Sequence, residues 1–391
     1  MMNVPNATTK MPRNSATICR RIRPRRRNSV ELAISDQRGV ASVSAGLHPP
    51  APQRLGYPTS NPVNLGHLAW VFCVTGEDVV RFDLNGDGAT DARVVLAGVG
   101  AVCVAVDPHT SERVYIGTFD RGVFVSEDSG ESWRRPDTPP SDSRVLTLAA
   151  SCAEDHVYAG TEPSNLYRSS DHGRSWQLLP ALRELPSEPC WSFPGRPWTH
   201  HVRAIALHPL DPGQLVVGIE LGGVMRSSDG GKSWLDHNPQ AHRDAHQLLT
   251  HPEAPDRVYE VAGQGVAVSE DRGATWWRRE RGLDRRYAWA AAVDPADPDQ
   301  WYVSVSRGPF AAHGDSDGQA RVWRSVGDGW SPIDSWEKTP ALRRMPYALL
   351  ALEPDRLLVG LRGGRLLLSD DAGDGWRELE LALPDVVALA A

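Results

Sequence analysis

Five near-copies of one octapeptide, Ser-x-Asp-x-Gly-x-Ser/Thr-Trp, constrain this chain more than any other feature. They begin at Ser126, Ser169, Ser227, Ser269 and Ser369; the last has Gly375 at the Ser/Thr position, and a shortened sixth copy reads Ser325-Val-Gly-Asp328-Gly-Trp330. The residues before each copy alternate, as in Gly122-Val-Phe124-Val-Ser126, the pattern of a half-buried strand entering a tight turn. The Asp and Ser side chains can bond the turn's own amides, and the Gly supplies a positive φ. Asp128, Asp171, Asp229, Asp271 and Asp371 therefore read as structural, because the same residues recur wherever the hairpin recurs. The tryptophans that close the copies (Trp133, Trp176, Trp234, Trp276, Trp376) are expected to cover apolar area between neighbouring units.

With the aspartate as marker, and Asp328 for the short copy, successive intervals are 43, 58, 42, 57 and 43 residues. A period of that size suits one four-stranded propeller blade. Upstream of each copy lie two more strand patterns, the first ending in x-Pro (Arg203–Pro209, His246–Pro252, Trp289–Pro295) and the second reading like Val157-Tyr-Ala-Gly160. A degenerate unit comes first, with its second strand in Leu68–Gly76, its third in Asp78–Phe82 and its fourth in Ala92–Leu96. Its first strand is missing, whereas Asp385–Ala390 is a first strand without an owner. The expected fold is all-β, a seven-bladed β-propeller of four-stranded antiparallel blades, closed by the C-terminal strand completing blade one. The blades would span 62–97 plus 385–390, 98–140, 141–196, 197–241, 242–284, 285–341 and 342–384. Closure removes sheet edges that would otherwise aggregate.

The octapeptides resemble Asp-boxes, also called BNR repeats, the hairpin signature of sialidase-like propellers. That group includes sialidases, xyloglucan-degrading glycosidases, sortilin-type receptors and photosystem assembly factors, and fold alone does not choose among them. Sialidases resemble one another in an Arg-Ile-Pro motif before the first blade, which this chain matches only as Arg21-Ile-Arg23 in its tail. The resemblance therefore implies a glycosyl-hydrolase-like propeller without the sialidase catalytic motifs, and not a true exo-sialidase.

Residues 1–47 differ in charge from the rest, with nine Lys/Arg against two acids, including Arg20-Arg-Ile-Arg-Pro-Arg-Arg-Arg27. The remaining chain carries about −14 of the formal charge. Such an arm could meet nucleic acid or a membrane surface; the favoured reading is a disordered or mis-started extension, with nucleic acid not expected as a partner. No apolar stretch follows the arginines, so no secretory signal is read there. Nor does any 18-residue apolar run suggest a membrane span. The five cysteines (Cys19, Cys73, Cys103, Cys152, Cys190) lack CxxC spacing and point to a reducing cytoplasm.

Aligning the first strands by their x-Pro ends puts Arg203, His246 and Trp289 in register, with His201, Asp244 and Tyr287 two residues earlier on the same strand face. Three adjacent blades thus aim polar and aromatic side chains at one sector of the channel mouth. Two insertions lie beside it: Gln177–His200, with Trp191 and Trp198, and the segment carrying Arg307, Phe310 and His313. Long loops over a rigid scaffold are where binding residues gather. Glu220 ends its second strand on the same face. Two chemistries fit. In one, Trp191, Trp198 and Trp289 stack on sugar rings, Glu220, Asp244 or His246 act as acid and base, Tyr287 sits among them, and Arg203 or Arg307 holds an anionic group. In the other, His201 and His246, joined by His313 and by Glu220 or Asp244, bind a divalent transition metal.

The degenerate blade carries Asp83-Leu-Asn85-Gly-Asp87-Gly-Ala-Thr-Asp91, which resembles the short Ca²⁺ loops of integrin-type propellers and dockerins. Its alternating oxygens suit a hard cation, and a metal-free polar turn is the other reading. The expected function is a glycosidase-like hydrolase or lyase acting on a polar small molecule or glycan. The alternative is a non-catalytic scaffold for a protein partner.

Overall fold

Each blade is an antiparallel sheet whose middle strands are buried on both faces between neighbours, as Val157–Glu162, Leu215–Ile219 and Trp301–Ser306 are along their whole length. The computed structural model describes residues 70–391 apart from 86–87, 194–198, 315–317 and 334–343, so the basic segment 1–47 lies outside the described residues. Seven sheets follow one another along the chain. In the first, the C-terminal strand Ala388–Ala390 pairs with Trp70–Val74, which leads on to Val79–Asn85 and Gly88–Leu96. In the second and fourth, the outermost strand is reduced to single bridges, Val125–Arg134 and Arg226–Leu235. The innermost strands touch in cyclic order, and Ala388–Ala390 lies between those of the last blade (Pro346–Glu353) and the second (Ala101–Asp107). The ring is closed where Ala388–Ala390 pairs with Trp70–Val74, the C-terminal strand completing blade one as expected.

The octapeptide turns show why the motif repeats. In the copy at Ser169, the Ser169 hydroxyl donates to Asp171 Oδ1 (2.7 Å) and accepts from Gly173 N (2.8 Å). Asp171 in turn accepts from the Ser175 amide (2.8 Å) and hydroxyl (2.5 Å), and Gly173 has φ +75°. Burial pushes the Asp171 carboxyl up, but these bonds outweigh it and hold its pKa at about 2. The copy with Gly375 keeps the amide bond to Asp371 (2.7 Å) but has no hydroxyl to donate. The short copy is a plain hairpin in which Asp328 pairs instead with Arg281. Replacing Asp171 by alanine should cost about 1–3 kcal/mol, the scale of a lost hydrogen-bonded turn, measurable by equilibrium denaturation; no change would show the turn to be held by its strands alone.

A second repeated device joins the second strand to its own octapeptide. Where the octapeptide's second residue is acidic, an Arg on the second strand pairs with it: Arg113–Glu127 (2.7 Å), Arg257–Glu270 (2.9 Å) and Arg356–Asp370 (3.0 Å). Where that residue is Ser170 or Ser228, His156 or Gln214 stands at the corresponding position.

At the expected calcium loop Asp83 pairs across to Thr90 and Asn85 to Gly88, with a register shift between Arg81 and Asp83 and Asp91 at φ +50°. Asp87 and the Asn85 side chain lie outside the described residues.

Cys73 and Cys103 sit in strands, as read from sequence, and burial pushes both thiols up to about 12. Such thiols stay protonated and inert. Cys73, Cys103 and Cys152 are free thiols. No helix among the described residues is long and apolar enough to cross a membrane.

Candidate functional site

Every innermost strand of blades two to seven has a register irregularity at its start, and that irregularity builds the site. In blade four Val202 pairs with Ile219 and Ala204 with Gly218, so Arg203 is the extra residue. The same count leaves His246 extra in blade five, Trp289 and Ala290 against one residue in blade six, and Tyr347 in blade seven. In blades two and three the extra residues are Val102 and Leu146. A bulge re-aims its side chain away from the ladder. These residues ring a central cavity of about 370 Å³ that Arg203, His246, Trp289, His313 and Tyr347 line at one sector. Tyr347 escaped the x-Pro alignment because a further register shift between Ala351 and Glu353 displaces blade seven by one position.

Around the bulges the polar groups converge. His201, 4% exposed, holds Glu220 through Nε2 (2.8 Å), with Arg203 Nε 3.7 Å from the same oxygen. Burial pushes the Glu220 carboxyl up, but the His201 bond and the fields of His201, Arg203 and His246 outweigh it and keep the pKa at about 2. Glu220 is thus a fixed negative charge. His246, 2% exposed, donates from Nδ1 to the Ala288 carbonyl (2.6 Å), because a carbonyl can only accept. Its Nε2 lies 3.6 Å from Asp244 Oδ1 and has no hydrogen-bond partner among the described residues. The Asp244 carboxylate rests where a Cβ on Gly263 would stand, so this glycine clears its seat.

The second insertion contributes His313 from a one-turn helix, Pro309–His313. Its ring bridges two tyrosines, Tyr287 at Nε2 (2.7 Å) and Tyr347 at Nδ1 (2.8 Å), donating to one and accepting from the other. Burial raises the Tyr287 hydroxyl far above its ordinary range, helped by Asp244 and Glu220, so it is neutral. Trp289 carries the Arg203 guanidinium 4.7 Å over its ring and packs edgewise on His313. The platform at this point is an Arg–Trp pair rather than a bare indole.

Burial and then repulsion from His246 push the His313 pKa down to about 4. The unfolded chain, titrating near 6.5, takes up a proton that the folded chain refuses. Stability from this group is therefore whole above about pH 6.5 and falls as pH drops toward 4. The melting temperature should decline over that window, and His313→Gln should flatten the decline. Parallel curves for the two proteins would assign the pH dependence elsewhere.

Other expected residues are placed elsewhere. Trp191 is 4% exposed and packs with Leu182, Leu185 and Ile219, its indole N–H on Ser187 (2.9 Å). The first insertion folds its apolar residues down into a small core, so Trp191 does not offer a face to sugar. From that insertion Phe193 reaches the site, edge-on to His201 at 5.2 Å. Trp198 lies outside the described residues. Arg307 is exposed, and Phe310 is 92% exposed on the rim. The expected His201–His246 metal pair is not assembled as such. The group whose donor atoms lie within 4.8 Å of one another is Glu220, Asp244 and His246, with His201 behind Glu220. His242, four residues before His246, is instead fully buried against Glu260 (2.8 Å).

Solved structures share the fold. An ancestral GH74 enzyme aligns with a TM-score of 0.55 at 18% identity, over 76% of this chain and 37% of that one. The GH74 enzyme of Niastella koreensis gives 0.56 at 16%, over 80% and 54%. YCF48 bound to D1 peptide gives 0.51 at 15%, over 79% and 85%. The chain thus spans 37% and 54% of the lengths of the two GH74 enzymes. At these identities the likeness shows a β-propeller fold and nothing finer. No family model matches the sequence, and no curated protein does.

Proposed function

We propose that the channel mouth is the active site of a glycosidase-like hydrolase or lyase acting on a polar small molecule or glycan, carried on an Asp-box propeller. The observation that carries this reading is the buried, unpartnered Nε2 of His246 facing Asp244 and Glu220 beside an open cavity. Burying polar groups without partners costs free energy, and such costs concentrate where groups await a substrate. Glu220 supplies fixed negative charge, Asp244 and His246 supply basic atoms, and neutral Tyr287 can give a proton, with His313 and Tyr347 to replace it. Arg203, seated on Trp289, offers a planar fork to an anionic group. The GH74 neighbours support glycan chemistry only as enzymes of the same fold.

The test is turnover by the full chain across a panel of neutral and acidic oligosaccharides, following both reducing ends and unsaturated products. Release from an acidic substrate, saturable and lost on Arg203→Met, supports the reading. No release from any member of the panel removes it.

A second reading, a scaffold for a protein partner, is favoured by Phe310, whose near-complete exposure beside His313 gives the rim an apolar contact point. Phe310→Ala should then abolish capture of a partner that Asp244→Asn still captures.

A further inference from the structure

Three donor atoms converge at the blade four–five seam. The His246 Nδ1 proton is committed to the Ala288 carbonyl at 2.6 Å, so Nε2 is the ring atom left to face the cluster. It and the oxygens of Glu220 and Asp244 lie within 4.8 Å of one another, with Arg203 3.7 Å from Glu220. Two carboxylates so placed in a low-dielectric pocket repel and favour positive charge between them. A proton on Nε2 is one solution, and it would draw Asp244 to about 2.7–2.9 Å as a charge-assisted bond. The separation is 3.6 Å, outside hydrogen-bond range. Donors placed about 2.0–2.2 Å from a shared ion stand several ångströms apart, as these do.

We propose that Glu220, Asp244 and His246 bind a divalent transition metal ion, with its open positions facing the channel. Two carboxylates and one imidazole suit zinc, manganese or iron(II) rather than the thiolate-seeking metals. The surroundings fit ligation. The backbone carbonyl on Nδ1 fixes the His246 tautomer, and His201 orients Glu220 by donating to one oxygen, the outer-shell partners that metal ligands usually have. Arg203, 3.7 Å from Glu220, stands where an anionic substrate group bound to the ion would meet it. This inference uses the site assigned above but does not depend on any reaction there.

The experiment strips the full-length protein with a chelator and titrates it with Co²⁺ alone, following visible d–d absorption and calorimetry. We expect one ion per chain. His246→Gln and Asp244→Asn, checked for folding by circular dichroism, should weaken binding by more than roughly 100-fold, and His201→Gln by about 10–100-fold as an outer-shell change. No saturable binding, or equal binding by the His246→Gln protein, overturns the proposal. A shared proton between His246 and Asp244, seen as a downfield imidazole resonance in metal-free protein that Co²⁺ does not displace, overturns it as well. Turnover without saturable ion binding would remove the ion and keep the enzyme; a bound ion with no turnover would do the reverse.

Discussion

Turnover by the Asp244→Asn protein is expected to fall about 10²–10⁴-fold in kcat/KM, the range of a lost general acid–base group. The substitution keeps volume and shape, so the seat cleared by Gly263 still accepts the side chain. What it removes is the negative charge beside His246 Nε2. His246→Ala should lose at least as much, but it also leaves the Ala288 carbonyl unpaired and a cavity among Tyr287 and Trp289. Its melting temperature must therefore be compared with that of the Asp244→Asn protein before its rate is interpreted. Rates within about threefold of wild type in both variants, well below the acid–base range, would exclude this cluster from the chemistry.

Gly160→Val is expected to destabilise the ring by roughly 3 kcal/mol or more, the upper range for overpacking a tight seam. A Cβ at Gly160 would come within 2.5 Å of Val202 and 2.6 Å of Thr147, inside contact distance. Gly117, Gly218 and Gly360 occupy the same place in their blades and meet Val145, Ala245 and Val386 of the next. At these four seams the inner strand of one blade thus rests on the bare backbone of the blade before, whereas blades five and six carry Val261 and Val303 at that place. Because the ring is closed, a forced gap at one seam is passed to the others rather than relieved at an open edge. Chemical denaturation should show the loss as a lower midpoint. Gly308→Ala, where an added Cβ meets nothing within 4 Å, should stay within about 0.5 kcal/mol of wild type. Equal midpoints for Gly160→Val and wild type would mean that the seam yields by sliding.

Much of the ring was legible because its information is local and repeated. The Ser–Asp–Gly turn forms from residues within a span of eight, and its recurrence gives the blade period without any long-range contact. The orphan strand at Asp385–Ala390 could be assigned to the unit lacking one because it repeats the first-strand pattern of Arg144–Ala149. The same locality explains the failures. Trp191 reads as a lid residue in a long loop, yet four apolar residues of that loop have somewhere to pack only once blade four stands beside it.

The clustering of Arg203, His246 and Trp289 followed from register alone, since one alignment step per blade preserves the angle around the axis. Their orientation did not. The bulge that turns each of them into the channel is a property of strand pairing, and the one-residue slip that brings in Tyr347 is visible only in the ladder. The sequence by itself determined the blade, its turn and its number, because those depend on side chains bonding to backbone a few residues away. Tertiary structure decided which polar groups lost their partners. Whether His246 Nε2 meets a donor or a second carboxylate depends on how close two blades approach, and that distance is set by the closure of the whole ring.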